Sequence, residues 1–116
     1  MSHLEDSFIE AWSKWGQGKI PETQLKFHPI RKFRLDFAWP LQQVAVECDG
    51  MGGYRGSIGA HRTIQGISNN HEKTNLAIEE GWVVLRFTTP MLSSQKKRKE
   101  ACQQVLRVLH TRSLNE

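Results

Sequence analysis

Cysteine is scarce in this chain: two in 116 residues, Cys48 and Cys102, with no CxxC spacing. That excludes a disulfide-rich scaffold. Both thiols are expected to be reduced and interior, with a single Cys48–Cys102 bridge left as the alternative. Cys48, His61 and His71 also lack the ligand spacing of a structural zinc site. No apolar run approaches membrane-spanning length, and the first residues lack the charged-then-apolar order of a secretory signal. The protein is therefore expected to stay in the cell that makes it and to need no membrane. There is no internal repeat, no low-complexity segment and too little chain for two domains, so residues 1–116 read as one domain.

What is present is ordinary for a globular protein, with a basic bias. Sixteen Lys and Arg face twelve Asp and Glu, a formal net charge of +4. The bias favours a polyanionic partner, though modestly.

Residues 3–15 carry Leu4, Phe8, Ala11, Trp12 and Trp15 at helical spacing, with Ser2 and Glu5 in capping-box positions. Gly16, Gly18 and Pro21 end that helix. Residues 23–29 alternate weakly, with Leu25 and Phe27 on one side, and suggest an edge strand. Two strands follow within residues 33–50. Residues 50–66 hold six glycines and almost no periodicity, a loop length that is uncommon without a function. Residues 67–80 predict a helix, begun at Ser68 or Asn70 and closed by Gly81. Residues 82–88 predict a buried strand. After Pro90 comes an amphipathic helix with Ala101, Val105, Leu106, Val108 and Leu109 on its apolar side. The expected order is α-β-β-β-α-β-α, an α/β fold with a mixed four-stranded sheet flanked by helices.

The strand pair in residues 33–50 carries the chemistry. Alternation puts Leu35, Phe37 and Trp39 on one face of its first strand, opposed by Arg34, Asp36 and Ala38. On the second strand Val44, Val46 and Cys48 oppose Ala45, Glu47 and Asp49. A two-residue turn at Leu41-Gln42 pairs Trp39 with Val44, and hence Asp36 with Glu47. Directly opposed like charges destabilise a sheet, and a divalent cation turns that repulsion into binding. Few oxygen ligands, with positions left for water and phosphate, match Mg²⁺ or Mn²⁺ better than zinc. The competing reading is a pair of solvated acids on an exposed sheet face.

Arg34–Pro40, Ala45–Gly50 and Gly81–Thr88, in this order and spacing, resemble the PD-(D/E)XK nuclease superfamily. Within it, the resemblance is to a compact phage and bacterial branch similar to the very-short-patch-repair-like endonucleases. It runs over most of residues 3–90. It implies a restriction-endonuclease-like core, with Asp36 and Glu47 as metal ligands and the Cys48 main-chain carbonyl as a further one. Glu5 matches a first-helix glutamate that touches the metal through water, or is simply a capping-box residue. Asp49, the third carboxylate of the strand pair, is a less secure ligand. The superfamily carries lysine at that position and this chain does not. Lys73, on the second helix, is the candidate for a migrated lysine, against a plain solvated one. His61 in the glycine-rich loop is a candidate acid, base or phosphate contact, against a surface histidine.

The activity this implies is Mg²⁺-dependent endonucleolytic hydrolysis of DNA in phage or prophage processing, recombination or repair, in the cytoplasm of a bacterial host. Arg31, Lys32, Arg55, Arg62, Lys96, Lys97, Arg98 and Lys99 are the expected backbone-phosphate contacts. The run 96–99 also reads as a solvated helix start. A homodimer is left open. The alternatives are a non-catalytic nucleic-acid-binding domain that keeps the fold, and an interaction module unrelated to nucleic acid.

Overall fold

A computed structural model describes residues 2–50 and 64–114. The elements run α1 (His3–Trp15), β1 (Glu22–Lys26), β2 (Arg34–Trp39), β3 (Val44–Asp49), α2 (Ile64–Glu79), β4 (Val83–Thr88) and α3 (Gln95–Leu114), with a single 3₁₀ turn over Pro90–Leu92 before α3. The sheet order is β1-β2-β3-β4. The first two pairings are antiparallel and the third, between β3 and β4, is parallel. A parallel neighbour needs a crossover, and α2 provides it.

Two apolar clusters hold the layers together. Phe8, Ala11 and Trp12 of α1 and Ala101, Cys102, Val105 and Leu109 of α3 cover Phe37, Trp39, Val44, Val46 and Phe87. On the other face Ala77 of α2 meets Leu35, Ala38, Ala45 and Trp82. The central strand β3 is covered on both sides, which explains its unbroken Val-Ala-Val start.

Local signals account for the boundaries. The Ser2 hydroxyl accepts the Glu5 amide and Glu5 reaches back to the Ser2 amide, the expected capping box. A Cβ at Gly16 would lie 2.3 Å from the Trp12 indole, so the chain can turn there only with glycine. The Trp12 and Trp39 indole N–H groups both donate to the Lys19 carbonyl, at 2.7 and 2.9 Å, and pin the following loop. At the end of α2 the Trp82 amide donates to Ala77 and the Gly81 amide to Ile78, a Schellman closure with Gly81 at φ +95. The turn at Leu41-Gln42 closes with the Gln43 amide on the Pro40 carbonyl, and Trp39 pairs with Val44 as expected.

Several expectations need correction. The first edge strand spans Glu22–Lys26 rather than 23–29, and α2 begins at Ile64 rather than 67. Strand β4 is a half-buried edge strand with only Phe87 fully enclosed, because α2 contributes little apolar cover. Leu35 packs in the α2-side cluster with Ala38, not with Phe37 and Trp39. The cause is a break in alternation at Asp36, opposite which Gln24 takes the left-handed region at φ 51. Both cysteines are free thiols, Cys102 buried and Cys48 partly so. No helix among the described residues is long and apolar enough to cross a membrane.

Candidate metal centre

The regular β2–β3 ladder runs from Trp39↔Val44 to Phe37↔Val46. At the next position side chains take over as rungs. The Asp36 amide donates to Glu47 Oε2 at 2.7 Å, and the Cys48 amide donates to Asp36 Oδ2 at 2.8 Å. Each carboxylate thus holds the opposite strand's main chain, and the two acids are locked side by side. Among the described residues Glu47 is the one charged residue withdrawn from solvent, at 5% exposure.

Burial of such a group requires a partner. The Lys73 ammonium, itself largely covered, forms an ion pair with Glu47 Oε1. Asp36 keeps the harder position. Burial first, then the charges of Glu47 and Glu5, raise its carboxyl from the ordinary 3.8 to about 6, against the Cys48 amide and Lys73, which lower it. The Asp36 carboxyl is therefore harder to ionise than an ordinary one, first because it is buried and then because Glu47 lies beside it.

The expected site residues divide clearly. Asp36, Glu47 and Lys73 are brought together. Glu5 holds its capping position, receives the Gln24 side-chain amide at 3.1 Å, and is close enough to act on Asp36. Burial and the Asp36 charge push the Cys48 thiol up, so it stays protonated. The donor this residue offers a hard cation is its main-chain carbonyl. Asp49 has a different partner: its Oδ2 lies 3.6 Å from Arg86 Nη2. His61, Arg55 and Arg62 lie outside the described residues.

Sheet topology sets the surroundings. β2 begins, and β3 and β4 end, at the same edge of the sheet. The 27–33 loop joins β1 to β2 at that edge, and its Lys32 is exposed, as are Lys96, Lys97 and Lys99 in the first turns of α3. Two of the expected phosphate contacts are otherwise engaged. Arg31 makes a two-pronged pair with Glu72 at 2.6 and 3.0 Å over the Phe33 ring, and Arg98 donates to the Leu92 carbonyl at 2.9 Å. The Lys97 ammonium reaches the Pro90 carbonyl at 3.4 Å.

Sequence reasoning missed Arg86 and Thr74. The Arg86 guanidinium donates to the Thr74 hydroxyl at 2.8 Å while facing Asp49. The signal was present: one charged residue inside an otherwise apolar strand needs a partner. Asp49, Ile67, Asn70, His71, Thr74, Asn75 and Arg86 line a cavity of about 240 Å³ between α2 and the ends of β3 and β4.

Among the described residues, no group of three or more His, Cys, Asp and Glu side chains forms a ready cage. The donor set is two carboxylates, and a main-chain carbonyl, water and phosphate would complete it. Each Glu47 oxygen has a second lone pair beyond its present contact. Hard oxygen donors and few protein ligands fit Mg²⁺ or Mn²⁺. Comparisons with protein-family models, with curated proteins and with solved structures return no match.

Proposed function

We propose that the chain is a metal-dependent endonuclease acting on DNA, with a restriction-endonuclease-like core. The observation that carries this reading is the interlocked Asp36–Glu47 pair with the Lys73 ammonium on it. Two neighbouring acids that exchange main-chain hydrogen bonds are pre-organised, so a cation binds them without ordering them first. Asp36 and Glu47 would hold Mg²⁺ or Mn²⁺, with the Cys48 carbonyl, and with Glu5 acting through water.

Bound there, the metal would polarise the scissile phosphate and lower the pKa of an attacking water. Lys73 supplies the fixed positive charge that the E-x-D spacing lacks at residue 49. It orients the water or offsets charge on the phosphate oxygens. Below about pH 6, Asp36 would give up its proton as the cation enters. Lys32, Lys96, Lys97 and Lys99 hold backbone phosphates with little regard to sequence.

A second reading has one observation in its favour: the Lys73 ammonium itself balances the Glu47 charge. A DNA-binding domain that has given up catalysis would have the same pair. Cleavage of nicked, branched and single-stranded DNA with Mn²⁺, alongside calorimetric Mn²⁺ titration, separates the two. The nuclease reading expects saturable metal binding, and cleavage lost in Asp36→Ala, Glu47→Ala and Lys73→Ala. DNA retention with no metal binding supports the second reading. No DNA retention at low salt sinks both.

A further inference from the structure

Three consecutive residues of α2 are tied to three different parts of the sheet. Glu72 pairs with Arg31 of the β1–β2 loop, Lys73 with Glu47 of β3, and Thr74 with Arg86 of β4. Successive helix residues are about 100° apart around the axis. Lys73 can therefore point at the central strand while its neighbours reach to either side.

These links matter because apolar packing does little to orient α2. Ala77 is its one buried residue, four positions beyond Lys73. Asn70, His71, Thr74 and Asn75, with Ile67, line a cavity against Asp49 and Arg86 rather than packing into a core. A rotation of such a helix about that single contact would carry the Lys73 ammonium off Glu47. The Arg31–Glu72 pair is solvent-exposed on both sides and holds weakly. The Arg86–Thr74 bond is partly buried, and Arg86 is itself steadied by Asp49.

Asp49 is thereby explained. It occupies the position where E-x-K spacing would place a lysine. Its carboxylate meets Arg86, which emerges from the facing strand two residues before Asp49's own partner Thr88. A carboxylate there serves a fixture that delivers the lysine from α2.

We infer that Arg86, held by Asp49 and bonded to Thr74, is a positioning residue that sets α2 in the rotation placing Lys73 on Glu47. Its role in the reaction rests on the nuclease reading, but the placement itself does not.

The test therefore has a metal-free arm and a catalytic arm. In the first, the Lys73 side-chain ammonium is followed by NMR in the full chain with EDTA, in wild type, Thr74→Val, Asp49→Asn and Arg86→Gln. An ammonium held in an ion pair gives a resolved signal, and Lys73→Ala assigns it. The fixture predicts that the signal broadens or vanishes in Arg86→Gln and Thr74→Val and weakens in Asp49→Asn, with backbone signals of β2 and β3 unmoved. Thr74→Val is nearly isosteric and guards against a misfolded arginine variant. A Lys73 signal unchanged in folded Thr74→Val and Arg86→Gln overturns the inference, whatever the activity.

In the second arm, Arg86→Gln lowers kcat with KM for DNA unchanged. Combined with Lys73→Ala it lowers kcat no further, because the lysine it positions is gone. Additive losses, or a change confined to KM, overturn the positioning role in favour of a direct DNA contact. A wild type that cuts nothing while its Lys73 signal still depends on Arg86 sinks the nuclease reading and leaves the fixture standing.

Discussion

Asp36→Asn should make this protein more stable at neutral pH while removing its function. Burial, followed by the Glu47 charge, raises the Asp36 carboxyl from 3.8 to about 6. The folded chain thus holds this proton more tightly than the unfolded chain does. The stabilisation that results is complete below the unfolded value of 3.8 and is lost as pH rises through about 6. The full difference corresponds to about 3 kcal/mol. Because solvent reaches part of the carboxyl, about 1–2 kcal/mol is expected. Asparagine carries no charge and still offers an oxygen to the Cys48 amide, so it escapes this loss. Urea titrations in EDTA, at about pH 5 and about pH 8, measure the effect. The variant should exceed wild type by about 1–2 kcal/mol at the higher pH, and the gap should narrow toward acid. Saturating Mg²⁺ should reverse the order, by about 2.7 kcal/mol of wild-type stabilisation at a hundredfold excess over Kd. Wild type more stable than Asp36→Asn at the higher pH without metal, or a gap indifferent to pH, would refute the reasoning.

Other outcomes follow from the same side chains. Lys73→Met leaves Glu47 buried without its cation and should cost about 2–3 kcal/mol in EDTA, somewhat below a fully buried pair; denaturation midpoints with and without Mg²⁺ check it, and the metal should restore part of the loss. Gly81→Ala forces a side chain into the left-handed region 3.1 Å from Gln43 Oε1 and should cost about 1–2 kcal/mol by thermal unfolding. Replacing Lys96, Lys97 and Lys99 by glutamine should weaken DNA binding and reduce the slope of log K against log salt by about 0.9 for each phosphate no longer neutralised. Metal affinity should fall as pH drops below about 6, because binding displaces the Asp36 proton; calorimetry in buffers of different ionisation enthalpy reads the released proton.

The sequence by itself determined the elements and the identity of the acids. Capping and glycine signals bracket α1 and close α2, and the hairpin turn places Trp39 against Val44 as alternation requires. Period-two patterns are local, so the adjacency of Asp36 and Glu47 was legible. It was also local pattern that misplaced Leu35, since strict alternation cannot register the break at Asp36. Arg31 and Arg98 looked like phosphate contacts because composition reports charge and not partners. Only the tertiary structure decided where Lys73 falls. That depends on how α2 crosses from β3 to β4, and on the links from Glu72 and Thr74 that hold its rotation. The same holds for Asp49, one of three acids on a strand pair in the sequence and the counter-ion of Arg86 in the fold. A carboxylate's role depends on which cation lies within a few ångströms, and for residues nearly forty positions apart along the chain packing alone sets that distance.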